Sequence, residues 1–538
     1  MKRILLSMAL LAGTAVTAQN IYQLESFSNI DLNGTARYVG MGGAMNALGA
    51  DMSVMSSNPA GIGLYRKSDA SITLGVATQE DAQKFFSKSK SHVSFDQAGF
   101  VYALPMGDEG ATQFFNFGLN YRKSKDFNTL LNTGMSFEGL EGGMSQIWQM
   151  EDMSAYWGDM RLEPKKQYKI DEFGKKIWLA PGVATPLANM GYETFLFEEN
   201  NFYNASTNGY HKAQWGSLQN FDVSMGFNFN DRWYLGLAVG LYNVDKQSYS
   251  SYTETLVGCY TEIIEGREQQ VYYDGGDYEL TNRTKLSGTG VDFKAGLIVR
   301  PIEDNPFRIG FSFTTPTYYS LTSRISSSIS SQLTDVNDMN RVNYNQHGYN
   351  IDYDYNLYTP WRFNFSLGST FFNQLAIGAE YEYADYSCAK ISYDNGYWDE
   401  WGSDADDDDA IKQEADKYLK GVSTFKIGAE WYVDPKLAIR LGYNYVSSPM
   451  DKNAFYNQYI NSASLDYATS TAYMNPGAIN RITVGMGTNF GNFYADIAYM
   501  FQKQKADFYA FKIIDLPLPA TSIKLNRSKV MITLGYRF

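Results

Sequence analysis

Basic side chains enclosed in a dry pocket can hold a carboxylate. Four residues of this 538-residue chain are placed to do so: Arg362, Lys426, Arg440 and Arg481. Each stands on the polar parity of a segment whose alternate positions are apolar, so on a β-strand each points away from the greasy face. In such an interior a charge-assisted hydrogen bond to an acid head group is strong. Glu380, Glu382, Glu430 and Asp496 share that parity, so the same cations are equally able to form ion pairs that keep an interior neutral. Other reactive residues assemble less well. The run Asp404–Asp409 has carboxylates for Ca²⁺ but lacks the spaced ligands and glycine of an EF-hand loop, and it reads as a solvated loop. His92, His211 and His347 are scattered and offer no metal set. Cys259 and Cys388 can pair, but two cysteines in so long a chain are no disulfide framework. Gly40, Gly42 and Gly43 do not make a dinucleotide loop, because Met45 stands where the third glycine is due. No Ser/His/Asp or Cys/His arrangement can be drawn, so no enzyme, cofactor or metal is expected.

The elements that carry these residues alternate with a period of two. In the last stretch, Asn526–Phe538, residues Val530, Ile532, Leu534, Tyr536 and Phe538 share one parity, and Lys529, Thr533, Gly535 and Arg537 the other. Similar segments recur at 72–76, 98–104, 115–121, 221–229, 233–241, 291–299, 307–313, 361–367, 375–383, 425–431, 437–445, 482–486 and 493–501. With the terminal strand this makes about fourteen, and short turns alternate strictly with long loops, the longest being 125–216. Such an asymmetry, with cations kept off the apolar parity, predicts an all-β transmembrane antiparallel barrel of about 14 strands, because a cation facing lipid at mid-bilayer costs roughly 2–4 kcal/mol. The 42 Tyr, 33 Phe and 47 Gly, with a mean hydropathy of −0.35, suit many short alternating strands and aromatic girdles rather than apolar helices.

Ahead of the strands, residues 1–18 read as a secretory signal peptide: Lys2 and Arg3, an apolar run, then Val16 and Ala18 at the −3 and −1 positions. Residues 19–70 are apolar and glycine-rich, and they are expected to fold as a hatch inside the barrel formed by 71–538. Asn58, Pro59, Ala60 and Gly61 form a turn that is the expected hinge of that hatch. Within the 125–216 insert, Trp148, Trp157, Trp178 and Phe195 are candidates for an external apolar capture surface. A net charge of −13 argues against nucleic acid.

Three stretches resemble the FadL/TodX-type (OMPP1) family of outer-membrane transporters for long-chain fatty acids and other hydrophobic compounds. One is Gly49–Gly61, which resembles the family's Asn-Pro-Ala hatch motif at Asn58, Pro59 and Ala60. Another is Thr359–Gly368 running into Glu380–Ser387, and the last is Arg440–Pro449. The insert 125–216 departs from a minimal member. The resemblance implies a plugged fourteen-stranded barrel in the outer membrane of a Gram-negative bacterium, taking up hydrophobic molecules passively, with long-chain fatty acids the leading cargo. It also implies that ligand leaves through the barrel wall. The expected partners are the lipid bilayer, a hydrophobic ligand such as a fatty acid, and the barrel assembly machinery, which would read Phe538; the chain is expected to act as a monomer. A plugged porin for small polar solutes and a haem (hemin) receptor remain the alternative readings.

Overall fold

In a computed structural model, the described residues are 20–538 without 107–111, 138–143, 152, 154–167, 171–175, 179–184, 197–201, 265–266, 336–337, 400–401, 461, 463, 466–467 and 514–517. The expected signal peptide therefore lies outside them. Fourteen antiparallel strands close a barrel. They are β1 (Asp69–Gln79), β2 (Ser91–Pro105), β3 (Thr112–Asp126), β4 (Phe202–Phe229), β5 (Trp233–Ile264), β6 (Arg267–Val299) and β7 (Arg308–Thr314). The second half comprises β8 (Arg362–Phe371), β9 (Leu375–Asp385), β10 (Gly421–Asp434), β11 (Leu437–Val446), β12 (Tyr473–Phe490), β13 (Phe493–Tyr509) and β14 (Arg527–Arg537). Each pairs with its neighbour in sequence, and β14 returns to β1 in an unbroken register from Asp69↔Arg537 to Gln79↔Arg527. Pairing of the last strand with the first removes the two outer edges that an open sheet would present to lipid.

The two parities separate as the alternation predicts. Leu237, Phe365, Ile427, Leu441, Ile482 and Leu534 are exposed on the outer surface. Asp222, Lys294, Glu380, Glu430, Arg440 and Asp496 are buried on the inner one. Trp233, Tyr536 and Phe538 remain exposed at the strand ends, where an interfacial girdle belongs.

The lumen is filled by the N-terminal segment. Helix α1 (Ile21–Ser28), capped by Asn20, is followed by an extended leader, 29–35, and the short helix α2 (Ala36–Gly40). Two 3₁₀ turns, Met52–Ser56 and Pro59–Leu64, complete the plug. Its fit against the wall depends on glycine. A Cβ at Gly236 would overlap the Ala60 nitrogen and the Pro59 carbonyl, and one at Gly378 would overlap the Ala44 oxygen. Only a residue without Cβ lets plug backbone touch strand backbone.

Above the membrane the barrel is taller than the alternation foretold. Strands β4, β5 and β6 run 28, 32 and 33 residues, whereas about 9–11 suffice to cross a bilayer. Segments 250–283 and 320–348, left between the alternating segments, are largely strand: their outer parity is polar rather than apolar, and on the inner one Ser323, Ser327 and Ser331 interrupt Leu321, Ile325, Ile329 and Leu333. Within the 125–216 insert, Thr129–Ser136 pairs with β4 and helix α3 (Pro186–Glu193) packs beneath the raised sheet. Leu187, Met190, Leu196, Ile329 and Phe511 form a separate core there.

Candidate functional site

The four cations read from the alternation all point into the lumen. Arg440 bonds Glu430 and Asp496, each at 2.6 Å. Lys426 lies 3.3 Å from Glu380 and 3.5 Å from Glu382. Arg362 donates to Glu382 at 3.0 Å and to the carbonyl of Ser28, which also accepts from the Tyr386 hydroxyl at 2.9 Å. Arg362 thereby pins the end of α1. Arg481 is different: its Nε donates to Gln502 at 2.8 Å and its Nη1 to Asn444 at 2.9 Å, both neutral. The plug is tied into the same charges, with Arg37 on Glu430 at 2.8 Å and the Asn46 nitrogen on Glu380 at 2.6 Å.

One stretch of the wall lacks its ladder. The pairing of β2 with β3 stops at Gln97↔Arg122, although β2 stays paired with β1 to its end and β3 with β4 as far as Asp126↔Ser217. Residues 91–96 and 123–126 therefore face each other across a slot. On its outer side Val93 and Phe95 are exposed. Side chains span it: His92 Nε2 meets Asp126 Oδ2 at 2.7 Å, and Lys123 Nζ donates to Ser94 Oγ at 2.8 Å. From inside, the leader fills it like a spare strand. Asp31 N donates to the Ser124 carbonyl at 2.9 Å, Asp126 N to Asp31 Oδ2 at 2.9 Å, and Asn33 Nδ2 to the Lys123 carbonyl at 2.9 Å.

Three cavities meet at this leader, and Asp31 lines them all. An upper cavity of about 390 Å³ lies beneath the raised sheet. Its walls mix Phe127, Leu131, Leu286, Ile479 and Phe508 with Lys125, Lys212 and Lys246. Lys125 and Lys246 donate to the Ser26 carbonyl (2.6 Å) and hydroxyl (3.3 Å), and among the described residues neither forms an ion pair, although Glu25 lines the same cavity. Lys246 stands five positions beyond Leu241, the last exposed apolar residue of that run on β5, and so above the bilayer. Burial, with Lys212 and Lys125 adding repulsion, pushes its ammonium down to about 7. A lower chamber of about 80 Å³ lies between leader and plug, and a pocket of about 50 Å³ lies beside the slot, reaching it at His92 and Asp126.

The family model described as outer membrane protein transport protein (OMPP1/FadL/TodX) matches residues 182–456, about half of the chain. The chain belongs to this family. It is accordingly an outer-membrane transport protein of a Gram-negative bacterium, in a family of channels for hydrophobic compounds and not of enzymes. Its fold is similar to the crystal structure of a Pseudomonas aeruginosa FadL homologue at 12% identity and a TM-score of 0.50, over 95% of this chain and 99% of that one. The Ralstonia pickettii toluene transporter TbuX aligns at 14% identity and a TM-score of 0.46, over 94% of this chain and 99% of that one. The P. putida toluene transporter TodX gives 12% and 0.45 over the same shares. No curated protein matches the chain.

In this family member the hatch turn sits at the wall. Asn58 caps the second 3₁₀ turn, accepting from Ala60 N at 3.2 Å, and Asn58, Pro59, Ala60 and Gly61 are all buried. Of the capture candidates, Trp148 and Phe195 lie among the described residues. Trp148 is half-buried and donates to the Tyr203 carbonyl at 2.8 Å, while Phe195 is exposed at a turn with positive φ. Trp157 and the Trp178 side chain lie outside the described residues. Cys259 and Cys388 are free thiols. Asp408 caps helix α4 (Asp409–Tyr418) and Asp407 pairs with Lys390, so these members of the acidic run have structural partners. No metal-binding cluster occurs among the described residues.

Arg122, Asp31, Lys125 and Lys246 were not singled out from the sequence. The alternation of β3, with Phe117, Leu119 and Tyr121 on one parity and Asn116, Gly118, Asn120 and Arg122 on the other, carries the signal for Arg122. Asp31 has no such signal, because it lies in a leader without periodicity.

Proposed function

We propose that this transporter takes up long-chain fatty acids or closely similar acidic amphiphiles. The cargo enters the upper cavity from outside and leaves through the β2–β3 slot into the membrane. The observation that carries this reading is the upper cavity itself. Its volume falls in the roughly 300–1,000 Å³ range of small-molecule pockets, its apolar walls suit an acyl chain, and among the described residues its Lys125 and Lys246 donate to Ser26 rather than to a carboxylate. Removing an acyl chain from water drives entry, at about 0.8 kcal/mol per buried CH₂. Asp31, Asp126 and Arg527 line both this cavity and the pocket beside the slot, so a ligand reaches the wall without crossing the plug.

The moving part in this account is the leader at 29–33, not the turn at Asn58–Gly61. The turn is locked by contact with Gly236 and Gly296, whereas the leader is held by a few hydrogen bonds to β3. Uptake of labelled oleate by a bacterial host lacking its own fatty-acid channel tests the reading. The chain is expected to restore uptake. Failure to do so while assembling in the outer membrane, or large steady currents in planar bilayers, would favour a porin for polar solutes instead.

A further inference from the structure

We propose that the outer wall carries a fixed lipid site, an apolar groove over strands β8–β11 that seats one acyl chain of a lipopolysaccharide molecule from the outer leaflet. The inference is independent of the uptake reading. The seam between β9 and β10 stands seven strands from the β2–β3 seam in a ring of fourteen, on the far side of the barrel from the slot.

The groove follows from one small side chain. On the outward parity Leu367, Ala379, Ile427 and Tyr443 lie side by side across four strands, and Phe365, Tyr381 and Phe425 form the next row toward the outside. All but Ala379 are large, so the alanine leaves a hollow ringed by aromatic and branched side chains. Its volume is about 320 Å³. Tyr381 and Phe425 make one wall, their ring centroids 4.9 Å apart. Glu380 and Lys426 turn their side chains inward, where they pair with each other, and present only backbone to the groove.

The floor is rigid. Gly368, Gly378, Gly428 and Gly442 form the adjoining row of the ladder, on the inward parity. Added Cβ atoms there would collide with Leu48, the Ala44 carbonyl, the Met41 carbonyl and the Gly42 nitrogen of the plug. Plug and sheet are thus in close contact behind the groove, and the hollow need not be ordered when a chain enters it. That matters because lipid tails are as apolar as the wall, so no hydrophobic force favours one place over another. What holds a chain is dispersion, and a hollow touches it on more sides than a flat wall does.

Depth names the occupant. The Tyr381 hydroxyl meets Ser423 Oγ at 3.1 Å, and the Tyr443 hydroxyl donates to Asn480 at 2.7 Å. These phenols lie on the halves of β9 and β11 away from the short turns at 372–374 and 435–436, at the height of the outer interface. The groove opens beneath them, within the outer leaflet, which in a Gram-negative outer membrane is lipopolysaccharide. Its few outward side chains are too small a seat for a second copy, since a stable protein interface uses roughly 20–30 residues a side.

Native mass spectrometry of the full-length protein, extracted from outer membranes in a mild detergent and washed, tests this. The unaltered protein is expected to carry one lipopolysaccharide molecule. Ala379→Phe, which fills the hollow, and Phe425→Ala, which lowers its wall, should each cut the lipid-bound fraction several-fold. Val239→Phe places the same ring on the outward parity of β5, away from the groove, and should leave that fraction unchanged. Oleate uptake by cells carrying Ala379→Phe should continue, so that loss of lipid and loss of transport are told apart. An unaltered protein without lipid, or Ala379→Phe that retains lipid as well as Val239→Phe does, overturns the site. Bound phospholipid in place of lipopolysaccharide overturns the outer-leaflet occupant, and a dimer that Ala379→Phe dissociates would assign the groove to a second copy instead.

Discussion

Single titratable groups in the part of the chain above the bilayer make its behaviour pH-dependent. Lys246 holds its proton only below about 7, so the upper cavity is most cationic in mildly acidic medium. An alkyl sulfonate, whose own charge does not titrate, is expected to bind several-fold more tightly at pH 6 than at pH 8. Lys246→Met should remove that slope and weaken binding at pH 6; a slope unchanged in the variant would assign it to another group. Glu254 works on stability instead. Burial pushes it up to about 7, against hydrogen bonds from the Ser145 hydroxyl (2.5 Å), Gln146 N (2.9 Å) and Tyr252. The unfolded chain ionises near the ordinary carboxylate value, so the folded form is favoured fully below it, and that contribution is lost as pH rises through about 7. The raised sheet around Glu254 should therefore resist proteolysis better at pH 5.5 than at pH 8. Glu254→Gln should flatten the difference, and a variant that kept it would contradict the assignment.

Among the elements, the plug and the wall depend on each other's shape. Gly378 faces the Ala44 carbonyl with no room for a side chain. Gly378→Leu is expected to unseat this part of the plug, since overpacking costs typically 1–3 kcal/mol, and the barrel itself should persist on its ladders. Planar-bilayer recordings should then show frequent openings that the unaltered protein lacks; silent channels would mean that the plug tolerates the intrusion. The membrane strands could be read from residues because lipid on one side and a charged lumen on the other impose a strict parity, as in β10 with Lys426 and Glu430 opposite Phe425, Ile427 and Trp431. Above Leu241 on β5 water bathes the outer face, parity dissolves into Ser, Thr and Tyr, and the continuing strands read as loops. Site residues divided the same way. Arg362, Lys426, Arg440 and Arg481 were visible by parity, but that the first three are consumed by ion pairs depends on register across strands, which a single chain does not display. The leader's role at the slot is a tertiary fact without local pattern.

For the whole molecule, the plug and the slot divide the labour. In the proposed route a plug packed against the strands closes the axis of the barrel, and the β2–β3 slot serves a cargo whose destination is the lipid itself. A barrel of this kind needs neither a moving stopper nor an energy source, because apolar burial draws cargo in and the bilayer takes it up. In a background with Cys259 and Cys388 replaced by Ser, two bridges made with a short bis-methanethiosulfonate reagent separate the two routes. His92→Cys with Asp126→Cys ties β2 to β3 across the slot, and Ser57→Cys with Ser312→Cys ties the plug to the wall, where the Ser312 hydroxyl already meets the Ser57 carbonyl at 2.7 Å. Oleate uptake by cells carrying each bridged protein is the most direct measurement. Uptake should stop with the slot bridged, return on reduction of the reagent, and continue with the plug bridged. Uptake that survives the first bridge and stops with the second would contradict exit through the wall.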